Sequence, residues 1–287
     1  MKFDISAPII APSNSAEKRI ICAVWSPDGE RIAVATADRV VTLIKSSNNE
    51  TSRLPIKARD ENASRVFTIT GLAWAPDSCR FAVAQSDMAV ALYDVGPANA
   101  TDSRKKITLR FSHKSPVLCV AWPLTSSTDF VYGMGDGAVM CGLTKMKKSE
   151  ELYRHGCAPI SMATAPRMNS VAVGHLDSSV FVVNLDTRSR IIALQTAVPP
   201  LALAWGSHIC AAGADLQINF ADSNGGSLSH VDYSNQPDLR SFTSASFDPS
   251  GQTAIVASKN NLITFAYSAR LQTWQQQSQL VFDGLYN

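Results

Sequence analysis

The chain has 287 residues, of which 17% are charged, against about 25% in an ordinary soluble domain, while 45% are hydrophobic. This composition favours a folded chain over a disordered one, and a net charge of +2 is too small to predict nucleic-acid binding through bulk electrostatics. A chain of this length buries about three quarters of its unfolded surface, so it needs no disulfide or metal in order to fold.

The N-terminus and the cysteines favour a cytosolic protein. Residues 1–19 lack the apolar core of a signal peptide, and no apolar run approaches the roughly 18 residues that span a bilayer. The cysteines are far apart and form no CxxC pair, so we predict small buried hydrophobes rather than a disulfide or zinc framework. They are Cys22, Cys79, Cys119, Cys141, Cys157 and Cys210.

One pattern repeats six times along the chain, over residues 20–58, 68–111, 116–154, 159–195, 199–232 and 242–283. In each copy an apolar run ends at an anchor residue, and successive anchors are 49, 48, 42, 41 and 42 residues apart. A period of about 40–45 residues is typical of a four-stranded propeller blade. The anchors are Trp25, Trp74, Trp122, Thr164, Trp205 and Phe247.

A second landmark follows each anchor by 10 to 14 residues. A short carboxylate at this position accepts backbone N–H groups, so we expect it to begin a tight turn. The landmarks are Asp38, Asp87, Asp136, Asp177, Asp215 and Asn260.

Each copy predicts four strands. An apolar inner strand is followed by a turn signal such as Ser26–Gly29, then by a strand of small residues, the landmark and an alternating third strand. The fourth strands are the least marked, and we place them at 53–58, 106–111, 150–154, 190–195, 228–232 and 279–282. The prediction is an all-β β-propeller with six recognisable blades, one domain over residues 1–287, and its four anchor tryptophans buried.

The turn and Asp pattern, with the ending Tyr93-Asp94, resembles WD-repeat propellers. More specifically, the chain is similar to the N-terminal propellers of the largest subunits of intraflagellar transport complex B. The stretches that carry this resemblance are Thr70–Trp74 with Pro76–Ser78, Val117–Pro123, Tyr132–Gly137, Val173–Asp177, Pro199–Trp205 with Cys210–Gly213, and Asp232–Ser234 leading into Phe242-Thr243.

The resemblance implies a scaffold that docks other protein subunits of the transport complex, in the cytoplasm and in the cilium or flagellum with its basal body. It also implies a seventh blade, completed by an N-terminal strand at Lys2–Ile10. We therefore expect an incomplete seven-bladed ring, with irregular closure between the first and sixth blades. The alternative is a WD-repeat adaptor of another vesicle-coat or trafficking complex.

No motif predicts an enzyme. Gly133–Ala138 satisfies the glycine fingerprint of dinucleotide sites, but a strand rather than a helix is predicted after it, so a tight turn is favoured. The five histidines show no metal-ligand spacing, and GxSxG is missing. We expect no catalytic residue, cofactor, metal or small-molecule substrate.

Basic residues follow the predicted third strands of three consecutive copies, so the fold would place them on one rim. Such a rim can attract acidic protein or a weakly bound acidic membrane surface, or it can simply solvate the edge of the propeller. Nucleic acid is not favoured, because no aromatic residues are interleaved for stacking. The rim residues are Arg104, Lys105, Lys106, Lys145, Lys147, Lys148, Arg188 and Arg190.

Overall fold

The computed structural model describes residues 19–60, 66–99 and 106–282, and every regular element in these ranges is a β-strand. The strands form six four-stranded antiparallel sheets, here numbered sheet 1 to sheet 6 in chain order. The chain divides into two compact units that meet between Gly156 and Cys157. Sheets 1–3 lie in unit 1 and sheets 4–6 in unit 2. The predicted all-β fold is confirmed.

Unit 1 contains twelve strands, and each strand pairs with the next one along the chain within its sheet. Sheet 1 consists of β1 (Ile20–Trp25), β2 (Arg31–Thr36), β3 (Val40–Lys45) and β4 (Thr51–Pro55). Sheet 2 consists of β5 (Ile69–Trp74), β6 (Arg80–Gln85), β7 (Ala89–Asp94) and β8 (Lys106–Ser112). Sheet 3 consists of β9 (Val117–Ala121), β10 (Asp129–Met134), β11 (Ala138–Leu143) and β12 (Lys148–Arg154).

Unit 2 repeats this plan with twelve further strands. Sheet 4 consists of β13 (Pro159–Thr164), β14 (Ser170–His175), β15 (Ser179–Asn184) and β16 (Arg190–Gln195). Sheet 5 consists of β17 (Ala202–Trp205), β18 (Ile209–Ala212), β19 (Gln217–Ala221) and β20 (Ser227–Asp232). Sheet 6 consists of β21 (Phe242–Phe247), β22 (Thr253–Ser258), β23 (Asn261–Ser268) and β24 (Thr273–Val281).

The hydrophobic core of each unit lies between the faces of successive sheets. The second and third strands of most sheets are apolar at nearly every position, because both of their faces are covered. Trp74 shows how two sheets join: its ring packs on Phe81 of its own sheet, with centroids 5.2 Å apart, and its Nε1 donates to the Val24 carbonyl oxygen of sheet 1.

The anchor tryptophans do not share one environment. Trp74, Trp122 and Trp205 are at most 7% exposed, but Trp25 is 58% exposed, so its predicted burial is wrong. Trp74 packs against the sheet that precedes its own. Trp25 ends β1 in the first described sheet, so the described residues of unit 1 supply no preceding sheet to cover it.

The landmark aspartates begin the turns between second and third strands. Asp136, Asp177 and Asp215 each accept a hydrogen bond from the backbone N–H two residues further on, at 3.2–3.3 Å. The residue after each landmark Asp has a left-handed φ of 61° to 87°, although only one of the five is a glycine. These residues are Arg39, Met88, Gly137, Ser178 and Leu216.

One predicted strand is misplaced, and other predictions stay open. The last strand, predicted at 279–282, is β24 at Thr273–Val281, where it pairs with β23 along its whole length. β24 contains a run of glutamines, so a prediction based on the pattern of hydrophobic residues misses most of this strand. The predicted strand at Lys2–Ile10 lies outside the described residues. One propeller over residues 1–287, with an incomplete ring, therefore stays a prediction.

Candidate interaction surface

The predicted basic residues lie where the third strand of a sheet passes into the fourth. Lys106, Lys148 and Arg190 are the first residues of β8, β12 and β16. Lys145, Lys147 and Arg188 lie in the turns that precede β12 and β16. Arg104 and Lys105 lie outside the described residues. The lysines therefore form a group in unit 1, and the two arginines form a separate group in unit 2.

The lysines of unit 1 differ in their partners. Lys148 pairs with Glu150, with Nζ and Oε1 2.6 Å apart. Lys106 lies opposite Asp94 in the β7–β8 ladder. Lys145 and Lys147 are exposed, and neither forms an ion pair with another described residue. Their charges are therefore the most available for an external anion.

A groove of about 490 Å³ between sheets 2 and 3 brings these two lysines together with apolar and hydroxyl groups. Leu92 and Leu109 supply its apolar side chains, and four Ser and Thr residues supply hydroxyls. The lining residues, which we call the lysine groove, are Arg80, Leu92, Asp94, Thr108, Leu109, Ser127, Thr128, Thr144, Lys145 and Lys147.

Backbone contacts fix the wall that carries the lysines. The Thr144 N–H donates to the Thr128 carbonyl oxygen at 2.9 Å, which ties the β11–β12 turn to the β9–β10 turn. The Lys147 N–H closes the turn on the Thr144 carbonyl oxygen at 3.3 Å, with Lys147 at a left-handed φ of 54°. The backbone of the turn that carries Lys145 and Lys147 is therefore set before any ligand binds.

Arg80 forms another wall of the lysine groove. Its guanidinium lies 2.7 Å from Asp77 Oδ2 and also donates to the Ser127 carbonyl oxygen of sheet 3 at 3.2 Å. It lies over the ring of Trp122, 5.9 Å from the centroid. The positive charge of Arg80 is therefore largely neutralised by contacts within the protein, and the main effect of this side chain is to hold sheets 2 and 3 together beside the groove.

Arg31 occupies the same place between sheets 1 and 2, but it is buried. It donates to the carbonyl oxygens of Ser78 and Gly96, and it lies 5.1 Å from the ring centroid of Trp74. The roles of Arg31 and Arg80 between the sheets were not predicted from the sequence. The available signal was their spacing, since each follows the anchor tryptophan of its own sheet by six residues.

Unit 2 has a smaller groove at the equivalent place, between sheets 4 and 5. Its volume is about 260 Å³, and Met168, Val182 and Trp205 are among its apolar lining residues. Arg190 is its only cation, and it lies over the ring of Phe181 at 5.3 Å. Ile191 beside it is 42% exposed. This groove shares its position with the lysine groove but lacks the lysine pair.

The groups that could carry chemistry are held in structural roles. Burial raises the pKa of the Cys119 and Cys210 thiols to about 12, the opposite of the shift that activates a thiolate. His175 is fully buried, and its Nδ1 lies 2.9 Å from the Cys157 carbonyl oxygen. Among the described residues no three His, Cys, Asp or Glu side chains form a group that could hold a metal ion.

The glycine-rich stretch at Gly133–Ala138 forms the turn between β10 and β11, with Gly137 at a φ of 87°. A strand follows the turn, so this stretch lacks the helix N-terminus that receives a pyrophosphate. None of the described segments forms a helix long and apolar enough to cross a membrane.

Comparison with solved structures agrees with the sheet architecture. The chain aligns with the WD40 repeats of RRP9 at a TM-score of 0.78 and 14% identity, covering 94% of this chain and 83% of that one. U3-55K aligns equally well, with 84% of its chain covered. At this level of identity the similarity shows the fold alone, which is that of a WD40-type propeller.

Sequence comparison gives more specific relatives. The chain is 29% identical to intraflagellar transport protein 172 of Chlamydomonas reinhardtii over 97% of its length. It is 32% identical to intraflagellar transport protein osm-1 of Caenorhabditis elegans over 96%, and 35% identical to the Drosophila melanogaster homolog of protein 172 over 91%. It spans about 16% of the length of the first two. No protein-family profile matches. The resemblance predicted from the sequence is confirmed.

Proposed function

We propose that this chain is a non-catalytic interaction scaffold that docks other protein subunits of an intraflagellar transport complex B during the assembly and transport of cilia. The observation that carries the proposal is the similarity to intraflagellar transport proteins over more than nine tenths of the chain, in three distant organisms. Because the chain spans only part of those relatives, the proposal concerns this segment and not the whole of a longer protein.

The described side chains support a binding role rather than catalysis. An enzyme needs convergent acids, bases, nucleophiles or a metal in one pocket. Here the buried thiols have raised pKa values, and the buried His175 contacts a backbone carbonyl. The two grooves are lined by basic side chains, hydroxyls and apolar groups, which suit recognition of a protein surface.

The surface proposed for docking is the rim defined by the predicted basic residues, with Lys145 and Lys147 at its centre in unit 1. These two lysines combine exposure, a fixed turn and the absence of an ion pair with other described residues. Lys106 and Lys148 belong to the same basic group of unit 1, and Arg188 and Arg190 form a second basic group in unit 2.

Affinity capture from ciliated cells tests the proposal. The tagged chain should co-purify with intraflagellar transport subunits, and a fluorescent fusion should be found in the cytoplasm, at the basal body and along the cilium. The tagged WD40 repeats of RRP9 are the matched control, since they share the fold at 14% identity. Recovery of vesicle-coat subunits instead, or the same set of partners with the control, would contradict it.

A further inference from the structure

We propose that the lysine groove of unit 1 binds an extended acidic segment of a partner protein, with one aliphatic side chain in the groove and carboxylates on Lys145 and Lys147. This inference rests on the proposed scaffold function and names the chemistry of one docking site. The groove joins three features in one concave place: aliphatic side chains, hydroxyl groups and two cations without an ion pair to other described residues.

The charges of the groove favour an acidic ligand. Lys145 and Lys147 stand on one wall, and Arg80 on another is already matched by Asp77 at 2.7 Å. Asp94 is the one carboxylate among the described lining residues, and it accepts a bond from the Gly96 N–H and faces Lys106 across the ladder. Two lysines therefore remain to attract a carboxylate-rich segment, and they are exposed, so their attraction is screened by salt.

The shape favours a peptide over a broad surface. Leu92 is only 1% exposed, so the half-buried Leu109 supplies most of the apolar surface of the groove, and Thr108, on the same strand β8, donates to the Leu92 carbonyl oxygen at 3.4 Å. A volume of about 490 Å³ accepts a few residues of extended chain but not a flat layer of lipid headgroups. Met146 lies between the two lysines and is 66% exposed, which gives the ligand an apolar contact beside each carboxylate.

The first test is fluorescence anisotropy at low salt with a fluorescein-labelled peptide in which leucines alternate with aspartates and glutamates. The double variant Lys145→Glu/Lys147→Glu should weaken binding by about tenfold or more, because attraction becomes repulsion. The matched control is Lys114→Glu/Lys259→Glu, which changes the net charge equally at two exposed lysines that do not line the groove, and it should bind nearly as the wild type does. A peptide with serines in place of leucines should bind several-fold more weakly.

Three results would overturn the groove assignment. The first is an equal loss in both double variants, which would mean attraction to general positive charge. The second is equal binding of the leucine peptide and the serine peptide, which would mean that the apolar side chains of the groove do not contribute to binding. The third is binding to phosphatidylserine vesicles, lost in the Lys145→Glu/Lys147→Glu variant, with no binding of the peptide. Circular dichroism of each variant checks that the sheets are intact.

Capture from ciliated cells separates this inference from the proposed function. If the chain captures transport subunits equally well with and without the Lys145→Glu/Lys147→Glu changes, the lysine groove is not the docking site and the scaffold function stands. If no transport subunit is captured by the wild type, the proposed function fails, whatever the peptide does. Loss of one captured subunit only in this variant would support both.

Discussion

Replacing Arg31 by alanine should cost more stability than the matched replacement of Arg80 between sheets 2 and 3. Arg31 is 4% exposed, and its guanidinium donates to the carbonyl oxygens of Ser78 and Gly96 while it covers the ring of Trp74. Alanine would remove all three contacts and leave the carbonyl oxygen of Ser78, a residue only 5% exposed, without this donor.

The magnitude follows from these contacts. A buried carbonyl left unsatisfied costs about 1–3 kcal/mol, and the lost cation–π contact about 0.5–2 kcal/mol. An opposing contribution comes from relieving a buried charge: desolvation lowers the pKa of Arg31 despite the nearby Asp28 carboxylate, and its Nε has no hydrogen-bond partner among the described residues. We therefore expect a net loss of about 2–3 kcal/mol in the free energy of unfolding.

Arg80→Ala is the matched control, because Arg80 has the same place between sheets 2 and 3 of the same unit. Its ion pair with Asp77 is about one third exposed, it reaches one carbonyl at 3.2 Å, and its ring contact is longer at 5.9 Å. We expect a loss of about 1 kcal/mol or less. Urea unfolding followed by circular dichroism and tryptophan fluorescence measures both. Equal losses, or a larger one for Arg80→Ala, would refute the reasoning.

Three further predictions concern pH, backbone space and the first anchor. Burial lowers the pKa of His113 and His208, so their contribution to stability is complete above about pH 6.5 and is lost as the pH falls through the lowered pKa values. The variant His113→Gln/His208→Gln should therefore show a smaller shift of the urea midpoint between pH 7.5 and pH 5 than the wild type does. A shift equal to that of the wild type would contradict this prediction. Gly213→Ala should cost about 1–3 kcal/mol, because a Cβ there would lie 2.6 Å from the Pro199 carbonyl oxygen, whereas Gly156→Ala meets no atom within 4 Å and should be nearly neutral in the same assay. Trp74→Ala should cost about 3–5 kcal/mol and Trp25→Ala much less, since Trp25 is 58% exposed; similar losses would show that Trp25 is buried in solution.

The sequence predicts the fold well because its repeat carries two independent signals. An apolar run before each anchor and a short polar residue after it mark the first and third strands of every sheet, and the observed strands follow them. Regularity inside a sheet is a local property of the chain. Alternation and turn residues therefore suffice to find it.

Predictions fail where a residue's environment comes from a neighbouring sheet. Trp25 has the same local sequence context as Trp74, yet only Trp74 is covered by a preceding sheet of its unit. Trp274 lies among glutamines that hid its strand, yet it is 3% exposed and stacks on Phe220 of sheet 5 with centroids 4.7 Å apart. The sequence around a residue does not show whether a neighbouring sheet covers it.

The left-handed residues of the turns could be predicted only in part from the sequence. Glycine is the usual mark of a left-handed residue, and Gly137 is such a residue, but Arg39, Met88 and Leu216 adopt the same conformation after their landmark aspartates. Such a position costs an ordinary residue about 1–2 kcal/mol, so tertiary structure must hold it there. The landmark aspartate, which directly precedes each of these residues, was a better guide than glycine.

One structural position serves two purposes in this chain. Between sheets 1 and 2, Arg31 is buried and donates to backbone carbonyl oxygens of the next sheet, so its guanidinium stabilises the contact between the sheets. Between sheets 2 and 3, Arg80 still reaches the next sheet, but the space beside it stays open as a groove bordered by Lys145 and Lys147. A repeated fold can therefore keep its packing while the space between some of its sheets stays open as a groove. Function in such a scaffold depends on where the repeats differ, and the anchors that reveal the repeats carry no information about it.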